Sequence, residues 1–143
     1  MKRFLFIVLI IIGLYNLSGC ELFVIKGKKI IIEDTITTDY SVNSPIGIVN
    51  LFISELNNNN VLAATELLAK DNKSLYSVNE KYDLTGDVSR LKRYINNDEI
   101  TNQSISSSDN KYSIEIEVAY FKKIIFEVQE INKRFYITNY YNK

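Results

Sequence analysis

Cys20 is the single cysteine of a 143-residue chain that contains no histidine. One thiol closes no internal disulfide, so Cys20 has no covalent partner within the chain. Without histidine there is no Ser-His-Asp or Cys-His centre, and the commonest zinc ligand is missing. Chemistry then falls to carboxylates, tyrosines and lysines. Asp83-x-Thr85-x-Asp87 is spaced like the first ligands of an EF-hand calcium loop, but that loop also needs glycine sixth and glutamate twelfth. Val88 and Tyr94 stand there instead, so the run reads as a turn with Asp87 capping a helix. Lys26, Lys28 and Lys29 follow soon after Cys20, where each basic group could add about 1 kcal/mol of attraction to an anionic leaflet. A solvated turn is the plainer reading of the three. None of these groups calls for a metal or a cofactor.

The chain changes character at Cys20. Met1-Lys2-Arg3 is positive, Phe4 to Leu14 is apolar apart from Gly13, and Tyr15-Asn16 ends the run. That run falls short of the ~20 residues of a bilayer span and has the charge order of an export signal, its positive end staying cytoplasmic. The residues that end it, Leu17-Ser18-Gly19-Cys20, resemble the lipobox of bacterial lipoproteins. The resemblance implies a thioether from the Cys20 sulfur to diacylglycerol, cleavage between Gly19 and Cys20, and a new amine open to a third acyl chain. An ordinary signal peptide prefers an A-x-A-like site, and no alanine precedes Ala63. At about 0.8 kcal/mol per buried CH₂, two chains hold a protein on a membrane where one is marginal. Residues 1–19 thus read as a lipoprotein signal peptide and 20–43 as a lipidated tether. A small hairpin is possible within the tether, from Phe23-Val24-Ile25-Lys26 to Lys29-Ile30-Ile31-Ile32. Residues 44–143 are the folded domain, extracytoplasmic and membrane-anchored through Cys20.

Lys2 and Arg3 are the only charges before Cys20, which leaves 15 basic against 17 acidic residues, a net charge of −2, in the mature chain. That balance gives no basic face for nucleic acid. With 46% hydrophobic residues the domain has enough apolar material for a core.

Ser44-Pro45 opens the first helix, serine as N-cap and proline at N1. Ile46, Ile48, Val49, Phe52, Ile53 and Leu56 share one face of it, and Gly47, Asn50, Ser54 and Asn57 the other. Asn57 to Asn60 stops it and leads into a second helix, Val61 to Ala69. Asp71 to Gly86 reads as a connection. Asp87 then starts a third, short helix with Val88, Leu91 and Ile95 on its apolar side. After Asn97 the period changes from 3.6 to 2. A weak strand around Ile100–Ile105 precedes a clear one in which Tyr112, Ile114, Ile116, Val118 and Tyr120 alternate with polar residues. Ile124, Phe126 and Val128 alternate likewise, then Phe135 and Ile137, with turns at Asp109-Asn110 and Asn132-Lys133. Helices followed by an antiparallel meander predict an α+β fold, the helices packed on a curved sheet.

This order resembles the nuclear transport factor 2-like superfamily, the cone-shaped fold also called ketosteroid isomerase-like or cystatin-like, as found in small bacterial lipoproteins. The residues that carry the resemblance are Ser44-Pro45-Ile46-Gly47-Ile48-Val49-Asn50-Leu51-Phe52, Asn59-Asn60-Val61-Leu62-Ala63-Ala64 and Lys133-Arg134-Phe135-Tyr136-Ile137. Asn-Asn replaces the usual Gly-Asp before helix two, and Phe135 the usual tryptophan. Isomerase chemistry in such a cone needs a carboxylate base and a buried donor for the developing oxyanion, often a tyrosine. The candidates here are Asp83, Asp87, Tyr76, Tyr82, Tyr94, Tyr112 and Tyr120, and their spacing fixes no constellation. Tyr112 and Tyr120 lie on the apolar face of their strand, where core packing accounts for them. Ile46, Val49, Phe52, Ile53 and Leu56 would meet the inward strand residues and fill the cone, leaving function to the outer surface. Two readings follow. The first is a non-catalytic envelope module, tethered by membrane lipid, that binds an envelope protein or small ligand. The second is an envelope enzyme using a cone cavity.

Overall fold

Ser44 sets the first element. Its hydroxyl accepts the Gly47 N–H at 2.9 Å, Pro45 takes N1, and the helix α1 runs Pro45–Asn57. The computed structural model describes residues 39–143; the signal segment, Cys20 and the hairpin expected between Phe23 and Ile32 lie outside the described residues. Along α1 the apolar face is buried as the spacing predicts, but Gly47 and Asn50, expected on the polar face, are buried too. Gly47 is packed under Ser41 and Ser44. Asn50 receives a hydrogen bond at 3.0 Å from Gln103 and donates at 2.9 Å to the Asp39 carbonyl. Polar side chains can go inside when their hydrogen bonds go with them.

The second helix, α2, is shorter than its periodicity suggests, Val61–Thr65 rather than reaching Ala69. After a turn through Glu66 and Leu67, Leu68 and Ala69 bridge instead, Leu68 pairing with Ile137 of the sheet. The third helix, α3, is longer, Val78–Ile95, and Asp87 lies inside it rather than capping it. Its cap is Ser77, in a reciprocal capping box with Glu80. Much of the stretch expected as a connection is therefore helix. Asn96 in the left-handed conformation closes α3.

The sheet is a four-stranded antiparallel meander, β1 Ile100–Ser108, β2 Lys111–Val118, β3 Lys122–Ile131 and β4 Arg134–Asn142, in that spatial order. The turns expected at Asp109-Asn110 and Asn132-Lys133 are two-residue hairpins with positive φ at both positions, the geometry that matches strand twist. The α+β class and the strand pattern hold as expected. Phe52, Leu56 and their neighbours on α1 cover Ile114, Ile116, Val118, Ile124, Phe126, Val128 and Ile137, all fully buried. Phe52 meets Phe126 edge-on, ring centroids 5.9 Å apart. Ile46 and Phe135, both expected inside, are only partly buried at its margin. Tyr120 departs further. The strand ends at Val118, and Tyr120 projects from the β2–β3 loop, 81% exposed. Gln129, placed outward by alternation, is buried and donates to Asp71 at 2.7 Å.

Candidate functional site

Leu68, Leu91 and Ile137 form the apolar floor of an open cleft of about 600 Å³ between α3 and the second half of β4. Each wall follows from local structure. On α3, Leu84, Asp87, Leu91 and Tyr94 recur at helical spacing and face the cleft. On β4, a bulge interrupts the pairing between Glu127/Val128 and the strand opposite. It shifts the inward set from Phe135 and Ile137 to Tyr140, whose ring lies 6.1 Å from Phe52 and 6.3 Å from Phe126. Tyr76, just ahead of α3, closes one end.

Tyr76, Tyr94 and Tyr140 therefore share one space with Asp87 and Arg90, and Tyr141 borders it. Lys70 Nζ sits 5.5 Å from the centre of the Tyr76 ring and is bonded to Glu80, while Lys122 Nζ sits 5.7 Å from that of Tyr94 and is bonded to Asp98. Asp87 is bonded to Arg90. Each cation at the rim thus has its own acid, and the cleft carries little net charge. Burial raises the Tyr140 hydroxyl above the usual phenol range, and the Asp87 carboxylate adds to the rise.

Of the residues expected to do chemistry, the structure gathers Asp87, Tyr76 and Tyr94 here and disperses the rest. Asp83 is exposed on α3 outside the cleft wall. Tyr82 is 65% exposed, Tyr120 is at the loop tip, and Tyr112 packs edge-on against Phe135 with centroids 5.5 Å apart. Among the described residues no hydrogen bond joins a tyrosine hydroxyl to an acid, and the Asp87 carboxylate is bonded to Arg90. Arg90, Asn139, Tyr140, Tyr141 and Asn142 join the cleft without any sequence signal that singles them out. An alternation continued past Ile137 reaches Asn139, because the bulge that brings Tyr140 inward leaves no mark in a period-2 pattern. Two other hollows, one beside the β1–β2 hairpin and one at the C-terminal end of α3, lack this convergence of rings.

Among the described residues no group of three or more His, Cys, Asp or Glu could hold a metal ion, and no helix is long and apolar enough to cross a membrane. No family model, curated protein or solved structure matches the chain.

Proposed function

We propose that the chain is the precursor of a lipid-anchored, extracytoplasmic binding module, held to a membrane through Cys20, whose domain seats a ligand in the α3–β4 cleft. The observation that carries the binding reading is the cleft. It has an apolar floor and a ring of phenol and amide groups at a near-neutral rim, with its one lining acid tied to arginine. A concave, mainly apolar site with a few convergent polar groups is what ligand recognition requires. The anchor rests on Leu17-Ser18-Gly19-Cys20 and the apolar run before it. The order of helices then antiparallel meander supports the likeness to the nuclear transport factor 2-like cone.

The second reading, an envelope enzyme, has one specific observation in its favour: Asp87 shares the cleft with Tyr76, Tyr94 and Tyr140. Arg90 on Asp87 argues against it, because the arginine already occupies the carboxylate that would have to reach a substrate.

The anchor is tested by intact mass and detergent partitioning of wild type and Cys20→Ser. The wild type should carry the mass of diacylglycerol on a chain that starts at Cys20 and enter the detergent phase. The variant should stay uncleaved at Gly19. A Cys20→Ser protein still cleaved there and still membrane-bound overturns the anchor. The side-chain resonances of Tyr76 and Tyr94 report on the cleft; Tyr94→Phe and Asp87→Asn separate the two readings. Conversion of a bound ligand that survives in Tyr94→Phe but is lost in Asp87→Asn would favour the enzyme.

A further inference from the structure

The outer edge of β4 is occupied along its first half and open along its second. The Phe135 N–H donates to the Val42 carbonyl at 2.9 Å, the Ile137 N–H to Leu67 at 3.0 Å, and the Ala69 N–H to Ile137 at 2.9 Å. Beyond the bulge the parity changes. The Lys143 N–H donates to the Lys123 carbonyl at 3.0 Å, and the register runs Ile125↔Tyr141 and Glu127↔Asn139. In an antiparallel pair the bonded residues alternate. Asn139 and Tyr141 therefore turn their backbone groups to β3, and Tyr140 and Asn142 turn theirs away. The Tyr140 N–H is accepted by the Asn139 side chain at 2.9 Å. The Tyr140 carbonyl and the Asn142 N–H and carbonyl have no protein partner among the described residues. Both residues line the cleft.

We propose that the cleft's ligand is an extended peptide segment, which adds to the Tyr140–Asn142 edge as a further strand and lies between it and α3. This rests on the reading of the cleft as a ligand site. The open edge offers acceptor, donor and acceptor with a two-residue repeat of about 6.5–7 Å, which the amides of an extended chain match and a sugar or nucleotide backbone does not. Charge complementarity points the same way. Lys70–Glu80, Arg90–Asp87 and Lys122–Asp98 neutralise the rim pairwise, so the cleft favours an uncharged backbone over an anionic or cationic ligand. Alternate side chains of the added strand would face Tyr76 and Tyr94 across the floor.

The test selects phage-displayed random dodecapeptides on the full chain held in detergent micelles. The enriched peptide is then synthesised with single N-methyl groups placed along its backbone. Methylation at alternate amides should weaken binding about tenfold or more, the scale of one or two lost hydrogen bonds, and leave the intervening positions unaffected. Asn142→Pro should weaken it similarly with an unchanged circular dichroism spectrum, because the N–H removed is outside the sheet ladder. Methylation of the peptide leaves the protein untouched and decides the matter if that variant misfolds. A peptide that shifts the Tyr76 and Tyr94 resonances but ignores every N-methyl group overturns strand addition and keeps the cleft as a ligand site. Shifts confined to the amides of β1, the opposite edge strand, also overturn it. So does a selection without enrichment over empty micelles; if small polar and aromatic fragments then leave Tyr76 and Tyr94 unmoved as well, the cleft reading falls with it.

Discussion

Glu80 uses its two oxygens for different partners. One accepts the Ser77 N–H at 2.8 Å and completes the cap of α3; the other takes the Lys70 ammonium at 2.6 Å. The lysine first, and the Ser77 groups after it, lower its pKa from 4.5 to about 2. A carboxylate depressed in the folded state stabilises above its unfolded pKa, and that contribution is lost as pH falls through the folded one. Glu80→Gln should therefore lower the urea midpoint at pH 7, and the gap from wild type should close between about pH 4.5 and 2. The group is solvent-exposed, so the gap is small and salt should shrink it. An equal gap at pH 7 and pH 2 would show that Glu80 acts through packing rather than charge. At this scale the sequence is partly legible. Ser44 and Pro45 announce their roles by type, and Ser77-x-x-Glu80 has the form of a capping box, although no apolar stripe follows it to mark a helix. Asn50 and Gln103 cannot be paired in advance, since they lie 53 positions apart and their hydrogen bond forms inside, at 5% and 3% exposure.

Between elements, the start of α3, well upstream of Asp87, shows what hydrophobic periodicity measures. Its buried residues are Val88, Leu91 and Ile95, all in the second half. The first half has apolar residues that are not buried, Val78 at 74% exposure and Tyr82 at 65%, so it carries no stripe. Periodicity detects the burial of a helix face, and an exposed helix held by its cap gives no such signal. The strands are legible because β2 and most of β3 obey one alternation, which fails in the loops, at the β4 bulge and at Gln129, buried beside Val128 with its amide on Asp71. Two glycines with opposite surroundings make the helical assignments testable. Gly86 sits within α3, and a Cβ added there would meet nothing within 4 Å. Gly86→Ala should raise stability by about 1 kcal/mol through helix propensity and a less free unfolded chain. At Gly47 a Cβ would lie 2.6 Å from the Ser44 hydroxyl and 2.7 Å from the Ser41 nitrogen. Gly47→Ala should destabilise by about 1–3 kcal/mol by forcing those backbones apart. Thermal unfolding of the two variants should move in opposite directions. A loss of stability in Gly86→Ala would place Gly86 in a turn, as the sequence alone suggests.

Taken whole, the domain is unevenly held together. The fully buried side chains join α1 to the sheet, and burying each large apolar one stabilises by roughly 1.5–3 kcal/mol. The N-terminal half of α3 contributes none of them, and it is held by the Ser77–Glu80 cap and by the surface pairs Lys70–Glu80 and Lys81–Glu66. Surface pairs contribute little, because solvent screens them and ordering two long side chains opposes them. This half of α3 carries Leu84, and Asp87 follows one residue beyond it, at one end of the cleft's α3 wall. The Leu84 end of the cleft's α3 wall is thus weakly anchored, while the floor residues Leu68, Leu91 and Ile137 belong to the core. Hydrogen exchange should show this as a gradient. Amides of Lys81 to Asp87 should exchange through local opening, well before those of Leu91 to Ile95 and long before Ile114, Ile116 and Phe126, which should follow global unfolding. A ligand seated between α3 and β4 binds only the closed arrangement and should slow the first group most, since protection by binding adds to the smallest opening energy. Exchange that is uniform from Val78 to Ile95 would mean that α3 opens as one body with its buried half, and the cleft would then be a rigid site rather than one that closes on its ligand.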